Sequence, residues 1–336
     1  MKKVLFLASL AAIAMTSCTS ESNEYVGNGP EQKEIAFMPV AQKATRGAYS
    51  VITTAFPTDN TMEVKAYQTQ PSTGTYFEKC TFAKGGGETW AAGKYWPLSE
   101  AKINFFAVSG YNVAAADITI ANELASATVE YKATGNTSNT EYSAATQSDI
   151  MYAFGRGSVT KAGNVLTTPA SVPMQFKHAL ALVDFEVKGN SATEAAAITV
   201  NSITLKGATY NGTLTLTNTN AATVSDAVTT AVSWAPGSSV ATQDVPGISA
   251  NTSISTTMTR IGNGLMVIPG TGFTSFMINY SMNGTAYNFE YTPDPVVSST
   301  TANNKYTYQI TFTLNEIQIA PTVAVWTNTD DGVTVH

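Results

Sequence analysis

Two places near the amino terminus hold residues set up for covalent processing: the thiol of Cys18 and the peptide bond between Arg46 and Gly47. Cys18 closes Met15-Thr16-Ser17-Cys18, behind a basic Met1-Lys2-Lys3 start and an apolar run from Val4 to Met15. That layout is a secretory signal, and it is shorter than the roughly 20 apolar residues a bilayer span needs. The terminal cysteine makes it a bacterial lipoprotein signal: residues 1–17 are removed and Cys18 is lipid-modified as the first residue of the exported form. Met15 stands where leucine is commonest, and an ordinary signal peptide ending near a cysteine is the plainer alternative. Arg46 lies in Lys43-Ala44-Thr45-Arg46-Gly47 at the end of a polar leader. Hydrolysis there by an arginine-specific protease would release residues 47–336 from a lipid tether carried on residues 18–46.

Elsewhere the side chains argue against catalysis. The two histidines, His178 and His336, have no second histidine at metal-ligand spacing. His178 is in phase with Phe176 and Leu180 on a strand pattern, which predicts a hydrogen-bonded core histidine. Cys80 has no nearby His to activate it. Asp330-Asp331-Gly332 fits a turn better than a calcium site. No glycine-rich phosphate loop or nucleophile elbow occurs. No catalytic residue, metal site or cofactor is therefore expected, and the chain does not read as an enzyme. The tryptophans Trp90, Trp96, Trp234 and Trp326 could stack on sugars, as in a tethered glycan-binding protein; structural roles at strand ends suit them better, and Tyr95-Trp96-Pro97 reads as a turn anchor.

Charged residues make up only 12% of the chain, about half the usual share. Residues 1–46 hold five of the 18 Lys/Arg and four of the 24 Asp/Glu, which leaves −7 on residues 47–336. Without a basic cluster, nucleic acid is excluded as a partner. Beyond Cys18 only Cys80 remains, so no intradomain disulfide is available and stability must come from burial.

The elements carrying these residues are strands. Alternation at period two runs the length of the chain and predicts an all-β fold. Asn283-Gly284 predicts a tight hairpin pairing Met282 with Thr285, Tyr280 with Tyr287, Ile278 with Phe289 and Phe276 with Tyr291. A second hairpin is expected where Ile203 and Leu205 lead through Tyr210-Asn211-Gly212 to Leu214 and Leu216. Residues 102–108 read as a strand buried on both faces. From Val172 to Val187 the apolar phase flips near Leu182, which predicts a bulge or bend there. Short helical turns are expected at Glu123–Ala127 and Ala192–Ala197. The mature length suits two β-sandwiches, residues 47–169 and 170–316, with the boundary in Thr167-Thr168-Pro169-Ala170.

The chain ends carry the sharper pattern. After Asn315 the apolar residues fall at Ile317, Ile319, Pro321, Val323 and Val325, then at Val333 and Val335. Pro321 cannot donate to a ladder, so it must divide this run or lie at an edge. Residues 317–336 read either as a strand seeking a groove in another molecule or as one folding back on its own domain. At the other end, Glu34 to Val40 reads as a strand just upstream of Arg46. If the first domain packs Ile35 and Phe37 of that strand, cutting at Arg46 would free it, and a donor strand could take its place.

The order and spacing of several motifs resemble the fimbrillin family of Bacteroidetes, the subunits of protease-assembled type V pili. They are Cys18, Ala44-Thr45-Arg46-Gly47, Lys94-Tyr95-Trp96-Pro97 with Phe105-Phe106-Ala107, Pro173 to Leu180, and the closing Ile317-x-Ile319-x-Pro321-x-Val323-x-x-Trp326. The resemblance implies two tandem transthyretin-like, Greek-key sandwiches, export as an outer-membrane lipoprotein precursor, maturation by an arginine-specific surface protease, and polymerisation with other pilin subunits by strand exchange. It places the mature protein in a cell-surface fimbrium. A long C-terminal segment implies a stalk rather than a tip subunit, and Arg46 counts against an anchor.

Overall fold

The computed structural model describes residues 32–42, 49–51, 61–84, 89–110, 113–132, 149–209, 211–224, 228–238, 240–270, 273–293 and 300–325. These residues are almost wholly β. The chain opens with β1 (Phe37–Gln42), β2 (Tyr49–Val51), β3 (Thr61–Gln70), β4 (Gly74–Lys84), β5 (Trp90–Ala91) and β6 (Ala101–Gly110). Two short strands follow, β7 (Ile118–Ile120) and β8 (Ser126–Lys132), and then β9 (Ile150–Ala162), β10 (Val165–Thr167) and β11 (Val172–His178).

The first sheet runs β9-β11-β1-β5-β4-β3-β6, and β6 pairs back to β9, so the path closes on itself. β10 extends it from β9 and β2 from β1. Closure removes the exposed edges that an open sheet would carry. It encloses a core that includes Val64, Phe77, Phe82, Trp90, Trp96, Phe105, Met174 and Phe176. Glycine permits the tightest contact: a Cβ on Gly157 would sit 2.2 Å from Cη2 of Trp96, so the indole lies flush on β9.

The second half begins with β12 (Ala181–Gly189), the helix α1 (Ala192–Ala197) and β13 (Ile198–Thr209). Next come β14 (Asn211–Asn218), β15 (Thr230–Pro236), β16 (Val240–Asp244), β17 (Thr252–Ser253), β18 (Thr259–Arg260) and β19 (Leu265–Val267). The chain ends with β20 (Ser275–Met282), β21 (Thr285–Tyr291), β22 (Asn304–Phe312) and β23 (Ile317–Val325). One sheet orders β18-β12-β22-β23 with β19 beside β12, and its partner orders β16-β13-β20-β21 with β17 beside β13. An aromatic-rich core that includes Phe185, Phe276, Tyr308, Ile310 and Phe312 holds them.

The remaining sheet, β15-β14-β8-β7, corrects one expectation. β13 and β14 follow one another but do not pair as a hairpin. β14 pairs with β15 and β8 instead, Leu214 opposite both Trp234 and Val129. Asn211-Gly212 is therefore not a turn. Gly212 is needed for close approach, because a Cβ there would lie 2.7 Å from the carbonyl of Ala235. Leu214 and Leu216 enter a third core with Phe106, Leu180, Leu182 and Met266.

That third core explains two sequence patterns. Phe105 faces the first core and Phe106 the third, so β6 is buried on both faces as its sequence predicts. In β12, Leu182 faces the third core while Val183 and Phe185 face the second. The change of phase near Leu182 is thus a strand with two buried faces, and the chain bends two residues earlier, at Ala179-Leu180. Pairing crosses the boundary expected at residue 170: β11 pairs with β9 and with β1, and β8 pairs with β14. The hairpin at Asn283-Gly284 has the predicted register throughout, with φ of 50° and 79° at the two turn residues. The helix expected at Ala192–Ala197 forms as α1, where Ser191 Oγ caps by accepting from Glu194 N–H; the turn expected at Glu123–Ala127 is only a short 3-10 turn at Asn122–Leu124, and Ser126 and Ala127 belong to β8.

Candidate functional site

β1 is a stave of the closed sheet. It lies parallel to β11, with Phe37 opposite Val172 and Ala41 opposite Phe176, and antiparallel to β5, with Phe37 opposite Trp90. The side chains of Ile35 and Phe37 are fully buried. Phe37 makes edge contacts with Phe82 at 4.7 Å and Phe105 at 5.0 Å between ring centres. Residues just ahead of β1 are fastened as well. Ile35 N–H donates to Lys94 O at 2.6 Å, Trp96 N–H to Lys33 O at 2.9 Å, and Gly93 N–H to Glu34 Oε1 at 2.7 Å.

The Lys94-Tyr95-Trp96 motif is thus the strand partner of the leader as well as a turn anchor. Tyr76 supports it by donating its phenol to Tyr95 O at 2.7 Å, and burial pushes the Tyr76 phenol up to about 12. Nothing in the sequence pattern assigns this pairing, because the motif lies far from the leader along the chain.

β1 also pairs with β2, Val40 opposite Val51 and Gln42 opposite Tyr49. The stretch joining them is residues 43–48, and so contains Arg46 and Gly47. Those two residues, Cys18, Val333 and Val335 lie outside the described residues, as do Trp326 and Asp330-Asp331-Gly332. A cut between β1 and β2 would leave β1 in place by burial and hydrogen bonding alone.

β23 is the edge strand of the other candidate element. It pairs with β22 in unbroken register, from Phe312 opposite Ile317 to Asn304 opposite Val325. The described part of the segment, Ile317–Val325, thus lies on its own domain in this structure; residues 326–336 lie outside the described residues. Pro321 sits opposite Tyr308 with no shift of register, so its missing N–H faces the open edge. Ile317 and Ile319 are half-buried against the second core. Val323 and Val325 are 53% and 52% exposed. β1 and β23 belong to different sheets.

The remaining candidates have structural roles. Trp90 and Trp96 are buried in the first core, so neither offers a stacking face for sugar. Trp234 packs edge-on to Tyr131 at 5.5 Å and donates Nε1–H to Ala179 O at 2.9 Å. His178 is buried with Nδ1 2.9 Å from Asp149 Oδ2, the hydrogen-bonded core histidine its strand phase predicts. Cys80 is buried.

The fimbrillin-like family model matches residues 45–326. Among solved structures, a candidate cell adhesion protein of Bacteroides ovatus is similar with a TM-score of 0.53 and 12% identity, over 88% of this chain and 99% of that one. A fimbrial protein of Bacteroides vulgatus is similar at a TM-score of 0.49 and 16% identity, over 88% and 100%. The fimbrial anchor protein Mfa2 of Porphyromonas gingivalis is similar at 0.36 and 7%, over 88% and 98%. No curated protein sequence matches the chain.

Proposed function

The chain belongs to the fimbrillin-like family, and on that footing we propose that it is a stalk-type structural subunit of a cell-surface fimbrium that contributes to adhesion. Its precursor is exported as an outer-membrane lipoprotein acylated on Cys18. An arginine-specific surface protease cuts after Arg46, and β1 then leaves the closed sheet. The vacated groove between β11 and β5 accepts the C-terminal strand of another subunit, drawn from residues 317–336.

The observation that carries this reading is the position of Ile35 and Phe37. They are fully buried, yet they belong to a leader, β1 and the residues just ahead of it, joined to the rest of the chain only through residues 43–48. Once that link is severed, the leader has no covalent hold. The donor segment, residues 317–336, carries Ile317, Ile319, Val323, Val325, Val333 and Val335 in one phase of its sequence. Burying four to six such side chains at about 1.5–3 kcal/mol each gives roughly 6–18 kcal/mol before ordering costs. Joining head to tail does not close on itself, so the product is a filament.

The test uses protein beginning at Thr19, treated with an arginine-specific protease. The reading expects a new N-terminus at Gly47 followed by SDS-resistant ladders, and ladders should vanish when residues 317–336 are deleted. Resistance at Arg46, or polymerisation unchanged by that deletion, would overturn it.

A further inference from the structure

Resting on that reading, we infer that β23 is two elements divided at Pro321: a fixed root, Ile317–Ala320, that stays on β22, and a transferable part beginning at Thr322. The attachment of the strand is graded along its length. Its root is held by the turn before it, where Glu316 N–H donates to Thr313 Oγ1 at 2.8 Å and Thr313 N–H to Glu316 O at 2.9 Å. Leu314 N–H donates to Glu194 Oε1 of α1 at 3.2 Å, and Asn190 N–H to Phe312 O at 2.9 Å. Ile317 and Ile319 then rest on the second core.

Beyond Pro321 the support thins. Val323 and Val325 face the same side as Ile317 and Ile319 but are more than half exposed, so they bury little apolar area on β22 and lose little by leaving. Pro321 fixes its own φ and lacks a donor for a neighbouring strand on the open edge. That combination suits a hinge and keeps a second chain from adding there. The segment from Ile317 to Val325 carries no charge, so the donor as far as Val325 can enter an apolar groove without desolvating an ion. The home pairing of Thr322–Val325 therefore acts as a latch on the donor: assembly waits for it to peel, while the root keeps its place opposite Ile310 and Phe312.

Two disulfide staples on the face of the β22–β23 pair turned away from the second core distinguish the halves, each in a Cys80→Ala protein beginning at Thr19. Thr307→Cys with Thr322→Cys spans the proposed latch, and Thr311→Cys with Gln318→Cys spans the root; both are directly opposed pairs, at separations a disulfide tolerates. After cutting at Arg46, the oxidised latch staple should abolish SDS-resistant ladders until reductant is added, and the oxidised root staple should leave them intact. Ladders lost with both staples mean the whole strand moves, and ladders kept with both mean it never peels; either overturns the division at Pro321 while leaving the fimbrial reading standing. A cut and reduced protein that forms no ladders overturns both. Amide exchange on the unmodified chain gives a second measure: Thr322 and Ala324 should exchange at least tenfold faster than Gln318 and Ala320, and equal protection across Pro321 would refute the hinge.

Discussion

His178 Nδ1 lies 2.9 Å from Asp149 Oδ2, and both side chains are buried where the chain passes from the first core to the other two. The link that follows is pinned from several directions. Ala179 N–H donates to Ile150 O at 2.8 Å, His178 N–H to Asn303 Oδ1 at 3.0 Å, and Asn303 N–H to Leu180 O at 2.9 Å. A buried polar pair in so uncharged a chain fixes register as well as contributing energy. Asp149→Ala strips His178 of a buried partner and should cost about 1–3 kcal/mol, whereas Asp149→Asn keeps an acceptor in place and should cost less. Urea unfolding of the two variants decides this. A loss below about 1 kcal/mol for Asp149→Ala would mean the pair is not a structural joint.

Phe37 gives a prediction that joins stability to assembly. Its ring fills an aromatic site against Phe82 and Phe105, so Phe37→Ala in the uncut protein should cost about 3–5 kcal/mol, and Ile35→Val only about 0.5–1.5 kcal/mol. Under the strand-exchange reading the same change speeds departure of β1 after cleavage. Ladders should therefore form faster from cut Phe37→Ala than from cut wild type. A destabilised protein that ladders no faster would separate the packing role of Phe37 from any part in exchange.

How far the sequence reveals this arrangement depends on the range of the interaction. The Asn283-Gly284 hairpin is legible residue by residue because turn chemistry and cross-strand pairs are local, down to Tyr280 stacked on Tyr287 at 5.6 Å. The inward faces of β6, β11 and β22 are legible from alternation. What escapes is non-local: Glu34 bridging to Tyr95, β6 closing on β9, and β14 joining β8 rather than β13. The last fails because Leu214 and Leu216 alternate in the same way whichever partner strand they meet. At the candidate site, the burial of Ile35 and Phe37 could be anticipated, and so could an edge position for Pro321. The unequal burial of the two halves of β23 could not, since Ile319 and Val323 look alike in a one-sided stripe.

Arginine-specific proteolysis supplies a sharper check on access. The chain has three arginines, and two lie in described strands. Arg156 is mid-strand in β9 opposite Asn104, with Nε donating to Asn104 Oδ1 at 2.7 Å. Arg260 donates Nε–H to Asp184 Oδ1 at 2.8 Å and a guanidinium N–H to Asn263 O at 2.9 Å. A protease must draw an extended segment into its cleft, which at either site requires sub-global opening. Folded protein should therefore yield no fragment ending at Arg156 or Arg260 under conditions that digest the denatured chain fully. Mass spectrometry of a time course reads this directly, and early cleavage at Arg156 would show that β9 opens locally.

The phenols set the alkaline limit of the fold. Tyr152 is buried in the third core, and that burial pushes its phenol up to about 12 from the ordinary value of 10.0. Tyr131 is raised further, first by burial and then by the charge of Asp149. A folded-state pKa raised above the unfolded one means the unfolded chain loses its protons first. The stabilisation is present in full below pH 10 and is lost as pH climbs through about 12, so denaturant midpoints should hold up to about pH 10 and fall steeply above it. The share of phenolate absorbance due to Tyr152, read as the difference between wild type and Tyr152→Phe, should rise together with loss of β-sheet circular dichroism rather than before it. Tyr152→Phe should shallow the decline, since it removes one proton from the difference between the two states. Should Tyr152 instead titrate near 10 in protein that keeps its fold, its ring must reach water, and the third core would be more open on that side than its packing implies.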